Sequence, residues 1–152
     1  MKKSKIKIPN ISINQGSKGA LTEIELKLHG FNSSSNEDPQ VNLKYFDSSY
    51  QCFSDWQPQE LKSFSSFLRT ISSMSWIDIL KSGGKSGTKT GLGMTYHKDR
   101  GVLPKTTQID KISEDINFFE LRVTERARVH GFRSSCTFFL VFLDREHGIY
   151  PE

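Results

Sequence analysis

Cysteine is scarce. The 152 residues hold two, Cys52 and Cys136, far apart and in neither a C-x-x-C nor a zinc-ligand spacing. That excludes a disulfide framework and the usual structural zinc sites, and it predicts a reduced, cytoplasmic protein. Long apolar runs are also missing. No stretch is long enough to span a bilayer. The basic start Met1-Lys-Lys-Ser-Lys runs into Ile-Lys-Ile-Pro rather than a secretory core, so no membrane partner is expected. Charge of one sign is not abundant: 21 Lys and Arg face 17 Asp and Glu, a net charge of +4. Such a balance permits a phosphate-rich partner without demanding one. A complete Walker A is absent. Gly83-Gly84-Lys85-Ser86 lacks the first glycine of that motif and follows a helix pattern rather than a strand, which argues against a nucleotide cradle.

What is present is concentrated in the last third, Phe118 to Pro151, with five of the arginines and two of the four histidines. Phe118–Val123, Ala127–Arg133 and Thr137–Leu143 read as three consecutive antiparallel strands. One register keeps a face apolar: Val123 opposite Ala127, Leu121 beside Val129, Phe119 beside Gly131. The other face then carries Arg122 opposite Arg128 and Glu120 opposite His130. Two arginines that close repel, so they need a carboxylate such as Glu120 or an anionic ligand. The third run is apolar on both faces, the pattern of a central strand.

Upstream, Leu21–Leu28 and Val41–Phe46 alternate and are expected to pair as an N-terminal β-hairpin extension over residues 1–50, joined by the polar loop 29–40. Pro58 suits a first helical position, and Leu61, Phe64, Leu68 and Ile71, broadened by Phe67, recur at helical spacing. A short second helix starts at Ser75, with Asp78 in a capping-box position and Trp76, Ile77, Ile79 and Leu80 as its apolar face. Between Lys81 and Lys105 lie five lysines, Arg100 and six glycines against one acid, Asp99. That reads as a basic, mobile loop. Ile109, Ile112 and Ile116 suggest a last helical turn. The expected fold is one α+β domain. Its mostly antiparallel sheet carries two helices on one face, with residues 58–151 as the core.

Several residues carry candidate chemistry. Arg122 and Arg128 could clamp a phosphate or carboxylate, or could pair with Glu120, Glu125 or a C-terminal carboxylate. His130 could act as general acid or base, although a half-buried polar residue is the plainer reading. Asp144 and His147 admit a catalytic dyad, a metal pair or a structural turn. A metal would need further ligands, with only His97 and His130 as obvious candidates, and the turn is the simplest reading. Trp56, Trp76 and Tyr45 read as core. Tyr50 and Tyr96 sit in polar surroundings and are freer.

The string Leu121-Arg122-Val123, Arg128-Val129, Gly131-Phe132, then Asp144, His147, Ile149, Tyr150 and Pro151, with Met74-Ser75-Trp76-Ile77-Asp78-Ile79 upstream, resembles a family of small bacterial proteins ending L-R-V…R-V-x-G-F…D-x-x-H-x-I-x-P. More distantly, two helices followed by this meander resemble the RelE/ParE-type toxins. That resemblance implies a RelE-like fold. It also implies a cofactor-free, metal-independent endoribonuclease of a toxin–antitoxin or phage-defence system, acting on mRNA at the ribosome and held by a small protein antitoxin. Arg122 and Arg128 would then be phosphate clamps, and His130, His147 or Tyr150 the acid and base. Lys81, Lys85, Lys89, His97, Lys98 and Arg133 would hold RNA. The alternative from another class is a non-enzymatic subunit or adaptor of a larger defence complex.

Overall fold

A computed structural model describes residues 38–83 and 92–151. The expected strand at Leu21–Leu28 lies outside the described residues, as do Lys85 and Lys89.

Among the described residues, seven α-helices and strands follow in chain order. They are β1 (Gln40–Asn42), α1 (Pro58–Ser72), α2 (Trp76–Lys81), β2 (Thr95–Tyr96), β3 (Phe118–Arg122), β4 (Arg128–Ser134) and β5 (Thr137–Asp144). Pro58 opens α1 because its fixed φ suits the first helical residue and its missing N–H costs nothing there. The Glu60 carboxylate reaches back to the Gln57 N–H at 2.7 Å. Ser75 caps α2: its hydroxyl accepts from the Asp78 N–H at 3.2 Å, and Asp78 returns the contact to Ser75.

The sheet has the order β1-β5-β4-β3-β2. β3–β4 has the register that the apolar pattern requires: Phe119 opposite Gly131, Glu120 opposite His130, Leu121 opposite Val129, Arg122 opposite Arg128. β4–β5 and β2–β3 are antiparallel as well, but β1 runs parallel to β5, so the sheet is mixed. The run Val41–Phe46 is expected to be one strand; the strand is Gln40–Asn42, its described partner is β5, and residues 43–46 turn instead, with the Phe46 N–H on the Leu43 carbonyl.

Both faces of the sheet are covered. On one, Phe64, Phe67 and Ile71 of α1 and Trp76 and Ile79 of α2 pack on Phe119, Leu121, Val129, Phe138, Leu140 and Leu143. Leu61 and Leu68 of the expected stripe are only partly buried, and Leu80 points to solvent. The other face is covered mainly by residues between β2 and β3. Leu103, Ile109 and Ile112 pack there with Tyr45 on Phe118, Phe132, Phe139, Val141 and Phe142. Leu92 and Met94 are buried on the helix side. Arg100 holds this cover together by donating to the carbonyls of Ile109 (2.9 Å), Ile112 (2.6 Å) and Ser113. Of the segment expected to be mobile, Lys81–Lys105, residues 84–91 lie outside the described ones, and Leu92, Met94 and Leu103 of the remainder are buried. The expected helical turn is a 3₁₀ turn, Ile109–Lys111.

One irregularity shapes the sheet. His130 pairs with Phe142 and Gly131 with Leu140, so Val141 has no partner in the ladder. This is a β-bulge. Val141 and Phe142 therefore face the same side, and every later residue of β5 switches faces. Gly131 makes the close approach feasible. A Cβ there would stand 2.0 Å from the Phe139 carbonyl oxygen and 2.9 Å from the Phe138 ring. The clash is with backbone, so Gly131→Ala should destabilise the protein by about 3 kcal/mol. Urea unfolding measures this; a variant within about 0.5 kcal/mol of wild type would show that the bulge is not a constraint.

Candidate active site

The bulge moves Asp144 to the face that carries His130. The Nε2 of His130 is 3.1 Å from Asp144 Oδ2. His130 Nδ1 is in turn 2.9 Å from His97 Nε2, supplied by the chain just after β2. The backbone N–H of His97 donates to the Phe118 carbonyl at 3.0 Å, which fixes its position beside β3. Asp144, His130 and His97 thus form one hydrogen-bonded chain.

Its direction follows from the charge on Asp144. Burial alone would raise the Asp144 carboxyl, but hydrogen bonds from His130 and from the N–H groups of Ile149 and Gly148 outweigh it and hold the group ionised. Those two amides lie 2.9 Å and 2.8 Å away. A carboxylate only accepts, so His130 Nε2 carries the proton. His130 is fully buried, and desolvation lowers its pKa despite Asp144. It is therefore neutral, and its Nδ1 must accept. His97 then donates from Nε2, which leaves the lone pair on His97 Nδ1. That nitrogen is buried and has no hydrogen-bond partner among the described residues. Burial and the neighbouring His130 lower His97 to about 4, so it is neutral at pH 7. A buried acceptor left open at the end of a carboxylate–imidazole–imidazole chain is a general-base arrangement.

Glu120 adjoins the chain. One of its oxygens lies 3.2 Å from His147 Nε2 and 3.7 Å from Arg128 Nε; the other lies 4.0 Å from His130 Nε2. His147 takes φ +58°, a conformation rare for a residue with a side chain, which turns its ring back toward Glu120. Asp144 and His147 do share a turn, but each meets a different partner. Tyr150 packs its ring 4.7 Å from that of His97.

The arginine clamp needs correction. Arg128 is 5% exposed, and its Nη1 donates to the carbonyls of Thr124, Glu125 and Ala127. It is not on an open face. The register opposes Arg122 to Arg128, but their guanidinium groups part. Arg128 folds onto its own turn, and Arg122 lies over Gly93. Arg133 is on the opposite face, stacked 4.5 Å over Trp76 with its Nε on the Ser135 carbonyl, so it closes the core there rather than joining this site. Lys98 is exposed next to His97, and Lys81 is exposed at the end of α2. Among the described residues no three of His, Cys, Asp and Glu are grouped to hold a metal ion.

No family model, curated protein or solved structure matches the chain. The site's chemistry is read from its own geometry.

His97 escaped the sequence reading as a member of the relay. His97 sat in a basic segment that looked solvated, and Asp144 had a nearer histidine in sequence. The available signal was Gly131 in the middle of a strand, which marks bulges.

A neutral, partly buried His97 sets a pH dependence. Its folded pKa lies below the ordinary 6.5. As pH falls from about 6.5 toward about 4, the unfolded chain takes up the proton first, and stability is lost across that window. The loss due to His97 should be on the order of 2 kcal/mol once solvent screening is allowed for. Urea unfolding across that range measures it. A His97→Gln variant should flatten the curve, and an unchanged slope would mean that His97 is not held neutral.

Proposed function

We propose that the protein is a metal-independent endoribonuclease of the toxin type. The observation that supports this reading is the open lone pair on His97 Nδ1, at the end of the Asp144–His130–His97 chain. Cleavage of RNA needs a base to remove the 2′-hydroxyl proton. The oxygen then attacks the adjacent phosphorus, and the bond to the leaving 5′-oxygen breaks as an acid protonates it. His97 takes the first proton, and Asp144, through His130, orients the imidazole and stabilises the cation it becomes. His147, paired with Glu120, or Tyr150, stacked on His97, supplies the second proton. Tyr150 must shift to admit the substrate. An RNA phosphate close to His97 raises its affinity for a proton, which brings a weak base toward working strength. A small antitoxin covering this face and mRNA at the ribosome as substrate complete the proposal, with the cytoplasm as its place of action.

A second reading has an observation of its own. Glu120, Arg128, His130 and Asp144 are all nearly inaccessible, the depth of a structural polar network. The protein would then be a non-enzymatic subunit of a larger defence assembly.

Growth arrest on expression, followed by cleavage of RNA by the purified chain, separates the two. His97→Gln should reduce cleavage by about 10²–10⁴-fold while the protein stays folded. For the free enzyme, the acid limb of kcat/KM should lie near 4. A harmless wild-type protein without cleavage would reject the nuclease reading. Undiminished cleavage by the variant would reject His97 as the base.

A further inference from the structure

A separate groove of about 310 Å³ lies where the end of β3 meets α1, lined by Ser63, Ser66, Phe67, Thr70, Leu92, Arg122 and Val123. Among the described residues that line it, Arg122 is the only charged one. The Nε of Arg122 is buried and makes no hydrogen bond among the described residues. A guanidinium donor left open in this way is costly unless something accepts from it.

The guanidinium is also held in place. Gly93, at φ +56°, runs beneath it, and a Cβ there would come within 3.2–3.3 Å of its Nη2, Cζ and Nε. Only glycine both accepts that backbone conformation and leaves the space. The helix wall adds hydroxyls at helical spacing. Ser63, Ser66 and Thr70 each donate to the carbonyl four residues back. Such bonds are weak, and a hydroxyl can exchange one for a stronger acceptor. The nearest acid along β3, Glu120, is engaged with Arg128 and His147.

We propose that this groove is a phosphate-binding site, with Arg122 as its cation and the α1 hydroxyls as its supporting donors. Phe67, Leu92 and Val123 add an apolar floor, so the ligand carries an apolar or aromatic part beside its phosphate. A nucleotide unit of single-stranded RNA fits that description, and so does a free nucleoside monophosphate. The site does not depend on the chemistry at His97, and its test reads binding rather than cleavage.

The test titrates the full chain with a single-stranded RNA oligonucleotide, with a nucleoside monophosphate and with inorganic phosphate. Arg122→Ala should weaken binding about tenfold or more and reduce the salt slope for RNA by about 0.7, the value for one lost phosphate contact. Arg122→Lys should recover part of the affinity. Ser66→Asp, on the exposed side of α1, should weaken binding similarly by placing a carboxylate in the groove. Thermal melts of each variant confirm that it is folded. Binding of the monophosphate but not the oligonucleotide would keep the site and assign it to a free ligand. Equal affinities for wild type, Arg122→Ala and Ser66→Asp would overturn the proposal, as would wild type that binds none of the three probes. RNA binding that is retained in His97→Gln and lost in Arg122→Ala would separate this groove from the relay.

Discussion

One extra residue in β5 decides what the buried face of this sheet can be. Up to Leu140 the strand alternates regularly, with Phe138 and Leu140 toward the helices and Phe139 away from them. Had alternation continued, Phe142 and Asp144 would have followed Leu140 to the helix side. The bulge at Val141 sends them the other way, so a carboxylate that would have been stranded in an aromatic core meets His130 instead. The bulge is itself held from outside: the carbonyl of Val141 accepts from the Asp47 N–H at 2.8 Å. A lost ladder position is thus satisfied by the loop after β1, as buried backbone groups require.

The polar cluster that results is balanced rather than neutralised pairwise. Asp144 is ionised, His130 and His97 are neutral, and Arg128 lies beside Glu120. Asp144 meets its need with two backbone amides and His130, and Arg128 meets its own chiefly with carbonyls of the β3–β4 turn. Glu120 is left as the shared neighbour of Arg128, His130 and His147. Removing one partner from such a group strands a buried charge, and such a loss costs about 3–5 kcal/mol. Substitution of Glu120, Arg128 or Asp144 therefore tests folding before it tests chemistry. His97, at the edge of the group and uncharged, is the member whose removal separates the two.

Much of the fold was legible because it rests on short-range pattern. The β3–β4 register follows from keeping Leu121, Val129 and Phe119 on one side, and the start of α1 follows from Pro58 and Glu60. The parallel pairing of β1 with β5 was not legible, since alternation in a three-residue strand carries no information about its neighbour. Nor was the bulge, because a strand apolar on both faces shows no change of phase when one residue is inserted. That hidden phase change is why Asp144 was matched with His147, three residues away, rather than with His130 across the ladder. The cover over the second face was legible only in part: the spacing of Ile109 and Ile112 signals the turn that forms there, whereas Leu103 lies in a stretch whose lysines and glycines dominate the composition.

The two arginines show the limit of reasoning from register alone. Opposed backbone positions place two Cβ atoms close together, but an arginine side chain is long enough to leave that position entirely. Arg128 has turn carbonyls within reach at Thr124, Glu125 and Ala127, and three such bonds to a cation are worth more than a shared anion at the surface. Arg122 has no equivalent turn on its side. Beside it runs the segment at Leu92 and Gly93, where the Leu92 carbonyl accepts from the Arg122 backbone N–H at 2.6 Å and Gly93 leaves space for the guanidinium. Identical residues, facing each other across one ladder, are therefore driven to opposite fates: one is consumed by the fold, and the other keeps a donor with no partner among the described residues.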